Sequence, residues 1–265
     1  MEGSLMKDIQ ALRDDRGVTI HKAGVRGAFI QMRYRGSEII GEVSAYITLD
    51  DLTKGVHMSR FIEVLDLHPF IINKSCSLLE AGRDLLFRME KAHQATEAFI
   101  KIRAALPFFN LTPVTKLPTT RQIPIEIELE KYKDSTKCFL RIKMPVTSLC
   151  PCSKEISDVG AHNQKAIIDV RMQIISEDMS IEDHFTWLSL MGSAPIFELL
   201  KRPDEKNVTE RAYYRPKFCE DIVRDVVLYI KEMLPGVANY SVVVESMESI
   251  HDHTALAIVD YFKFS

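Results

Sequence analysis

Hydrophobic and polar residues alternate along several stretches of the chain, the pattern typical of half-buried β-strands. Segments 27–34 and 42–49 alternate in part and flank Arg35-Gly36-Ser37, a turn signal, so they predict a β-hairpin. The strictest alternation is Ile-Pro-Ile-Glu-Ile-Glu-Leu-Glu at residues 123–130. Further strands are predicted at residues 98–106, 138–146, 165–175, 240–247 and 254–264.

Apolar residues at helical spacing predict helices around residues 61–65 and at 75–95, 181–200 and 217–233, with Ser59 as the N-cap of the first. The order strand, strand, helix, helix, strand, strand therefore occurs twice. We predict an α+β protein with an N-terminal arm at 1–20 and two tandem modules at 21–132 and 133–265. The polar stretch Lys131–Ser135 either links the modules or forms a hairpin turn inside one continuous sheet.

Two segments, 147–164 and 200–214, fit neither pattern and are predicted to be irregular. Long segments without regular structure inside a compact chain are usually functional or disordered. Both segments are therefore candidates for functional loops.

Composition narrows the class of protein. The chain is 46% hydrophobic and 27% charged, typical of a globular protein, and its 34 basic and 37 acidic residues leave a net charge of −3. This near-neutral net charge disfavours a protein that binds nucleic acid over much of its surface. The chain has no apolar run long enough for a membrane span, no signal-peptide pattern and an odd number of cysteines, five. We expect a cytoplasmic protein with neither nucleic-acid nor membrane partners.

The segment 147–164 contains Cys150-Pro151-Cys152 and, further on, His162. A structural zinc site with four cysteines is excluded because no second cysteine pair exists. Two interpretations remain: a mixed site of thiolate, imidazole and carboxylate ligands, which suits zinc and neighbouring divalent ions, or two small residues in a loop.

Three other features carry candidate chemistry with an ordinary alternative. In extended backbone His251 and His253 project from the same side, so both imidazoles can meet one metal, or one can bind metal while the other moves protons; the alternative is a solvated turn. Glu205 lies in a charge run that is either a ligand or anion-binding edge or a solvated loop. Glu220 lies in the first turn of a predicted helix, where the helix dipole alone favours an acid.

Together these segments resemble the prokaryote-specific GTP cyclohydrolase I of type IB, and the matching motifs are spread over both halves of the chain. They are Gly55-Val56-His57-Met58-Ser59-Arg60-Phe61, Ser148-Leu149-Cys150-Pro151-Cys152-Ser153-Lys154-Glu155-Ile156-Ser157, Gly160-Ala161-His162-Asn163-Gln164, Leu199-Leu200-Lys201-Arg202-Pro203-Asp204-Glu205-Lys206 and Glu248-Ser249-Ile250-His251-Asp252-His253. The resemblance implies a tunnelling fold, in which each module has antiparallel strands and two helices and modules associate into barrels. It also implies a homotetramer.

The reaction that the resemblance implies converts GTP and water to 7,8-dihydroneopterin triphosphate and formate, the entry to tetrahydrofolate biosynthesis. It implies one divalent metal per site, with zinc, manganese and iron as the candidates. By motif position the metal ligands are Cys150, His162, Glu205 and His251, while Cys152 and His253 are catalytic, and His251 and His253 can exchange roles. Glu220 is expected to hold the guanine edge, and the expected triphosphate-binding residues are Lys201, Arg202, Lys206 and Arg60.

Three alternatives remain open at this point. An archaeal-type relative turns GTP into a cyclic-phosphate pterin and shares these motifs. A nitrile reductase of the queuosine pathway shares the fold but uses a cysteine and NADPH without a metal, which leaves the paired histidines and Glu205 without a role. A metal-stabilised assembly protein without catalysis needs four protein ligands and no open metal position.

Overall fold

A computed structural model describes residues 8–73, 77–176 and 180–262 of the chain. The strands are β1 Ile20–Tyr34, β2 Ser37–Leu49, β3 Phe70–Ile72, β4 Glu97–Leu111, β5 Pro118–Tyr132, β6 Ser135–Leu149, β7 Asn163–Ile174, β8 Ala194–Pro195, β9 Val237–Met247 and β10 Thr254–Tyr261. The helices are α1 Met58–Leu67, α2 Leu78–His93, α3 Pro151–Ile156, α4 Ile181–Ser189, α5 Arg202–Tyr214 and α6 Cys219–Met233. Residues 1–7 of the predicted arm, Cys76, the predicted helix start at Ser75 and the predicted strand end at 264 lie outside the described residues.

The α+β class is confirmed, and most elements lie where periodicity predicts them. The first hairpin is β1–β2, and its turn residues Arg35 and Gly36 both have positive φ, 50° and 81°. This is the backbone that two-residue hairpin turns favour, because its twist matches that of the strands. The stretch Lys131–Ser135 is likewise a hairpin turn, since β5 and β6 are neighbours and Lys133 has φ 48°.

One compact unit comprises residues 1–104 and 127–138. Its strands lie in the order β3-β1-β2-β4-β5, with β1 antiparallel to β2 and parallel to β3. Helix α1 packs on β1 and on α2, and it buries Phe61 and Leu65 completely. Complete burial of each of these two side chains contributes roughly 1.5–3 kcal/mol to the free energy of folding.

The other compact unit comprises residues 105–126 and 139–265, so β4, β5 and β6 each contribute a segment to both units. Its strands lie in the order β4-β5-β6-β7-β9-β10, and the short β8 pairs with β6. Helix α6 packs on β9 and β10, and its residues Ile222, Val226 and Ile230, which recur every four residues, are buried. The domain bounds at 20/21 and 132/133 stay a prediction.

The antiparallel pairing places several loops at one edge of the sheet, where strands of this unit begin or end. Strand β7 pairs with β9 in the register Ala166↔Ser246 and Val170↔Val242, so the start of β7 lies beside the end of β9. The end of β6 lies at the same edge, because β6 neighbours β7 and the N–H of Cys150, just after β6, donates to the carbonyl oxygen of His162, just before β7. The motif segments after β6, before β7 and after β9 therefore meet at this edge.

The predictions for the two irregular segments and for the helix at 181–200 need correction. Segment 200–214 is largely helix α5, which periodicity misses because only Asp204 and Ala212 of this charged helix are buried. Segment 147–164 contains the end of β6 and the short α3. The helix predicted at 181–200 ends at Ser189, where Gly192 and Pro195 interrupt helical structure and the chain pairs with β6 instead. The second half therefore holds four helices in the described residues, not two.

The predicted cap of α1 is also wrong. The N-cap is His57, and it makes no side-chain capping hydrogen bond, so Ser59 lies inside the first turn of the helix.

Candidate metal and substrate site

Cys150 and His162 are brought together by the connection between β6 and β7. The backbone N–H of Cys150 donates to the carbonyl oxygen of His162 at 3.1 Å, and the N–H of His162 donates to Oγ of Ser153 at 3.2 Å. Cys150 is the N-cap of α3 with Pro151 as the first helical residue, and its Sγ accepts from the N–H of Ser153 at 3.4 Å. These hydrogen bonds hold the two predicted ligand residues close together, at the two ends of the connection between β6 and β7.

The ring of His162 is largely buried and oriented by polar neighbours. Its Nδ1 lies 2.8 Å from Oε1 of Gln164 and 3.5 Å from Oγ of Ser249. Oε2 of Glu248 is 4.0 Å from the same nitrogen, and the two side chains are only 15% and 14% exposed. All the described hydrogen bonds of this ring use Nδ1, so Nε2 is the nitrogen that remains for a metal.

His251 and His253 lie in the turn between β9 and β10, which is exposed. Their rings stack nearly parallel, with centroids 5.1 Å apart and an interplanar angle of 13°. The turn begins directly after Glu248, the residue that approaches His162, so it lies at the same edge of the sheet. The two rings lie side by side, but residues 249–253 form bends and not the extended backbone for which same-side projection was predicted. Nothing in the stacking distinguishes the predicted ligand from the predicted catalytic residue.

Glu205 lies in the first turn of α5, exposed to solvent, beside the fully buried Asp204. Asp204 accepts hydrogen bonds from the N–H groups of Val114 and Thr115, both at 2.8 Å, from the Thr115 hydroxyl and from the N–H of Lys201. Burial alone raises the pKa of Asp204, but these hydrogen bonds outweigh it and hold the pKa well below its usual value. Asp204 therefore fixes the start of the helix that carries Glu205.

The predicted phosphate-binding residues of this segment are also at the start of α5. Lys201, Arg202 and Lys206 are all exposed, and Lys206 approaches Glu210 on the next turn at 3.7 Å. The far end of the helix contacts the Cys150 segment, since Ala212 packs against Leu149 and Lys154 Nζ donates to the carbonyl of Tyr213 at 2.7 Å. Glu205 lies about two helical turns from that contact.

Glu220 lies at the N-terminus of α6, which the preceding loop ties to β6. The N–H of Lys217 donates to the carbonyl of Leu149 at 3.0 Å, and the Ser148 hydroxyl donates to the carbonyl of Lys217 at 2.8 Å. The buried Cys219 thiol donates to Oε2 of Glu220 at 3.2 Å. The predicted guanine anchor therefore begins its helix beside the strand that ends at Cys150.

Arg60, the remaining predicted phosphate-binding residue, belongs to the other compact unit, on α1. Burial, with the neighbouring charges of Arg60 and His57, lowers the pKa of His93 to about 4. The same unit has a cavity of about 460 Å³ whose lining includes Lys22, Arg26, Tyr46, Phe99, Lys101 and Glu128. None of the predicted site residues lines this cavity.

The four predicted ligands are not assembled into a metal cluster by the fold of one chain. Across residues 8–73, 77–176 and 180–262, no three His, Cys, Asp or Glu side chains are close enough together to hold an ion. What the structure brings together is Cys150 with His162, and the turn carrying His251 and His253 with the same sheet edge. The ligand set stays a prediction.

Sequence reasoning did not assign roles to three polar residues at this edge. Gln164 contacts the ring of His162, Glu248 accepts a hydrogen bond from Gln164, and Asp204 anchors α5. All three lie inside the motifs that carry the family resemblance, so the motifs already marked them as candidate functional residues. Their partners are distant in sequence, however, and no local pattern reveals them.

Comparison with known proteins decides the family. A family model described as type I GTP cyclohydrolase folE2 matches residues 6–257. The chain belongs to this family. The resemblance drawn from the motifs is thereby confirmed.

Relatives named GTP cyclohydrolase FolE2 match over almost the whole chain. That of Thermotoga neapolitana is 39% identical, over 96% of this chain and 97% of the relative. That of Dictyoglomus turgidum is 38% identical, over 96% of this chain and 98% of the relative. Among solved structures, uricase from Arthrobacter globiformis matches with a TM-score of 0.47 and 10% identity over 96% of both chains, which is too distant to indicate anything about function.

The described part of the chain contains no helix that is both long and apolar enough to cross a lipid bilayer.

Proposed function

We propose that the protein is a metal-dependent GTP cyclohydrolase, which converts GTP and water to 7,8-dihydroneopterin triphosphate and formate at the start of tetrahydrofolate biosynthesis. The observation that carries the proposal is the family match over residues 6–257, together with relatives of that name at 38–39% identity over nearly their full length. Family membership also favours this reaction over the nitrile reductase and the non-catalytic assembly protein.

The proposed metal ligands are Cys150, His162, Glu205 and His251. A thiolate, two imidazoles and a carboxylate form a donor set that suits zinc and that also admits iron or manganese. The orientation of His162 supports this use, because its Nδ1 contacts Gln164 while Nε2 is left for an ion. A bound divalent ion supplies a water that is activated near neutral pH and an electrophile for opening the imidazole ring of guanine.

The remaining proposed roles belong to residues of the chain that contact substrate or move protons. Glu220 accepts hydrogen bonds from N1–H and the 2-amino group of guanine, which selects guanine over adenine. Lys201, Arg202 and Lys206, exposed at the start of α5, and Arg60 bind the triphosphate. Cys152, exposed on α3, and His253 transfer protons during ring opening and closure.

We further propose that modules of tunnelling fold close into barrels in a homotetramer, in a cytoplasmic enzyme. Strand β10 supports assembly, because among the described strands it pairs with β9 alone and leaves its other edge without a partner strand. Leu256 and Ile258 of the same strand are 55% and 53% exposed. Proteins rarely leave such an apolar edge uncovered, and a second copy of the chain can pair with it.

The deciding experiment incubates the purified protein with GTP and either zinc or manganese. We expect formate release and, after oxidation, a fluorescent pterin. Analysis of the phosphates separates the linear triphosphate product from the cyclic phosphate of the archaeal-type enzyme. Absence of formate under every metal would contradict the proposed reaction.

Two variants test the metal site in the same assay. Cys150→Ser keeps an oxygen that can cap α3 in place of Sγ but removes the thiolate, and His251→Ala removes an imidazole. We expect each variant to lose bound metal and formate release while it keeps the oligomer. His21→Ala, an exposed histidine outside the motifs, is the matched control. Formate production persisting in both Cys150→Ser and His251→Ala would refute the site.

A further inference from the structure

Three side chains form a continuous hydrogen-bonded row at the sheet edge. Gln164, near the start of β7, places Oε1 2.8 Å from Nδ1 of His162. Its Nε2 donates to Glu248, just past the end of β9, with distances of 3.2 Å to Oε1 and 3.4 Å to Oε2. Gln164 is 9% exposed, and the other two side chains are 14% and 15% exposed, so the row is shielded from water over most of its surface.

The chemistry of the row fixes its direction. An ionised carboxylate only accepts hydrogen bonds, so Glu248 requires the NH₂ group of Gln164 to face it. The amide oxygen of Gln164 must then face His162. Because that oxygen also only accepts, Nδ1 of His162 has to carry the proton. The opposite amide orientation would set two acceptors, the carboxylate and the amide oxygen, against each other.

We propose that Gln164 and Glu248 are positioning residues that hold His162 as its Nδ1–H tautomer and so present the Nε2 lone pair to the metal. This inference rests on the metal site of the proposed function and adds to it residues that act through His162 without binding the ion. Partners of this kind fix the ring of a metal-binding histidine, and removing them typically weakens metal binding by about 10- to 100-fold.

Gln164 places a neutral amide, and not a carboxylate, directly against Nδ1 of His162. A carboxylate against Nδ1 would add negative charge beside the proposed metal site. The amide of Gln164 is neutral, and its own orientation is set by the hydrogen bond that it donates to Glu248. The direct separation of 4.0 Å between Glu248 and Nδ1 is too long for a hydrogen bond, so the amide is the link. If Gln164 and Glu248 only stabilised the pairing of β7 with β9, the amide oxygen of Gln164 would not have to face Nδ1 of His162.

The test uses two variants and one matched control. Gln164→Leu removes both ends of the link at similar volume. Glu248→Gln keeps the size but offers a donor as well as an acceptor, so the amide of Gln164 can take either orientation. Glu245→Gln makes the same change on β9 at an exposed residue that contacts Thr254 and not His162.

The first readout needs no metal. In metal-free protein labelled with ¹⁵N-histidine, with the His162 signals assigned by their loss in His162→Ala, we expect the Nδ1–H tautomer in the wild type and in Glu245→Gln. Both tautomers should appear in Gln164→Leu and Glu248→Gln. An Nε2–H tautomer in the wild type, or an unchanged tautomer in Gln164→Leu, would overturn the proposal.

The second readout is zinc affinity, measured by competition with a chelator. We expect Gln164→Leu to bind zinc about 10- to 100-fold more weakly than wild type, with Glu248→Gln in between and Glu245→Gln unchanged. A purely structural role would lower the melting temperature and leave the affinity unchanged, which would also overturn the proposal. Failure of the proposed function has a different signature, because the wild type itself would then bind no metal or release no formate.

Discussion

Glu220 and Cys219 show how one hydrogen bond can prepare a side chain for a ligand. Burial and the contact with Glu220 raise the pKa of the Cys219 thiol to about 11, so the thiol keeps its proton at neutral pH and donates to Oε2. The thiol is buried while Glu220 is exposed, so a buried donor fixes the position of a carboxylate that solvent can reach. At this scale the proposed guanine anchor is one carboxylate with a fixed orientation.

Replacing that carboxylate tests the proposed guanine contact. Glu220→Gln keeps the size but loses the charge and presents an NH₂ group to the donors of guanine, so we expect the KM for GTP to rise about 10-fold or more. Bound metal should stay at the wild-type level, because Glu220 is not a proposed ligand. Steady-state kinetics and metal analysis measure the two effects.

The control for this variant is Glu232→Gln, the same change at the exposed far end of α6. It should leave both quantities unchanged. Equal loss of metal in Glu220→Gln would show that Glu220 belongs to the metal site instead of the guanine pocket.

Helix α5 is held in place by a contact between its first turn and a segment about 90 residues earlier in the chain. Only two of its residues are buried, so it has little apolar surface to hold it in place. The carboxylate of Asp204 instead joins its first turn to the turn after β4 through the N–H groups of Val114 and Thr115. The position of Glu205, and of the cations around it, therefore follows from one buried acid.

Asp204→Asn should reveal this anchor through its dependence on pH. Because the pKa of Asp204 is lowered in the folded protein, its contribution to stability is fully present above the unfolded value near 3.8 and is lost as the pH falls toward the folded value. We expect the melting temperature of Asp204→Asn to be lower than wild type by about 4 °C or more from pH 5 to 8. The difference should shrink below about pH 4. A difference that is constant down to pH 2.5 would mean that the charge of Asp204 is not what holds the helix.

At the scale of the whole molecule, two observations bear on the proposed assembly into an oligomer. The predicted metal ligands do not form a cluster within the described residues of one chain, and β10 has an open edge with exposed apolar side chains. A barrel of several chains would cover that edge. The open edge of β10 is therefore the feature of one chain that the proposed tetramer would cover.

Light scattering coupled to size-exclusion chromatography tests the tetramer. We expect a mass about four times that of the 30.3 kDa chain. Ile258→Lys puts a charge on the exposed face of the edge strand and should shift the protein to smaller species. Leu67→Lys, at an exposed leucine at the end of α1, is the control and should remain tetrameric. A wild-type monomer, or an Ile258→Lys variant of unchanged mass, would contradict this arrangement.

The sequence by itself determined the α+β class, most of the strands and the helices with apolar faces, because periodicity and turn chemistry act between residues close in the chain. The β1–β2 turn and the spacing of Ile222, Val226 and Ile230 are examples. It also determined the family, through motifs that the matched family model confirms over residues 6–257. Helix α5 was not predicted, because it has no periodic apolar face and is held in place by a contact with residues distant in the chain.

Only the tertiary structure decided which polar groups meet. Gln164 and Glu248 are 84 residues apart, and Thr115 and Asp204 are 89 residues apart, yet each pair is joined by hydrogen bonds. Such contacts depend on strand order and register, which bring distant segments to one edge of a sheet. They have no local signature, because the free energy that creates them comes from packing the whole unit and not from the residues on either side of them in the chain.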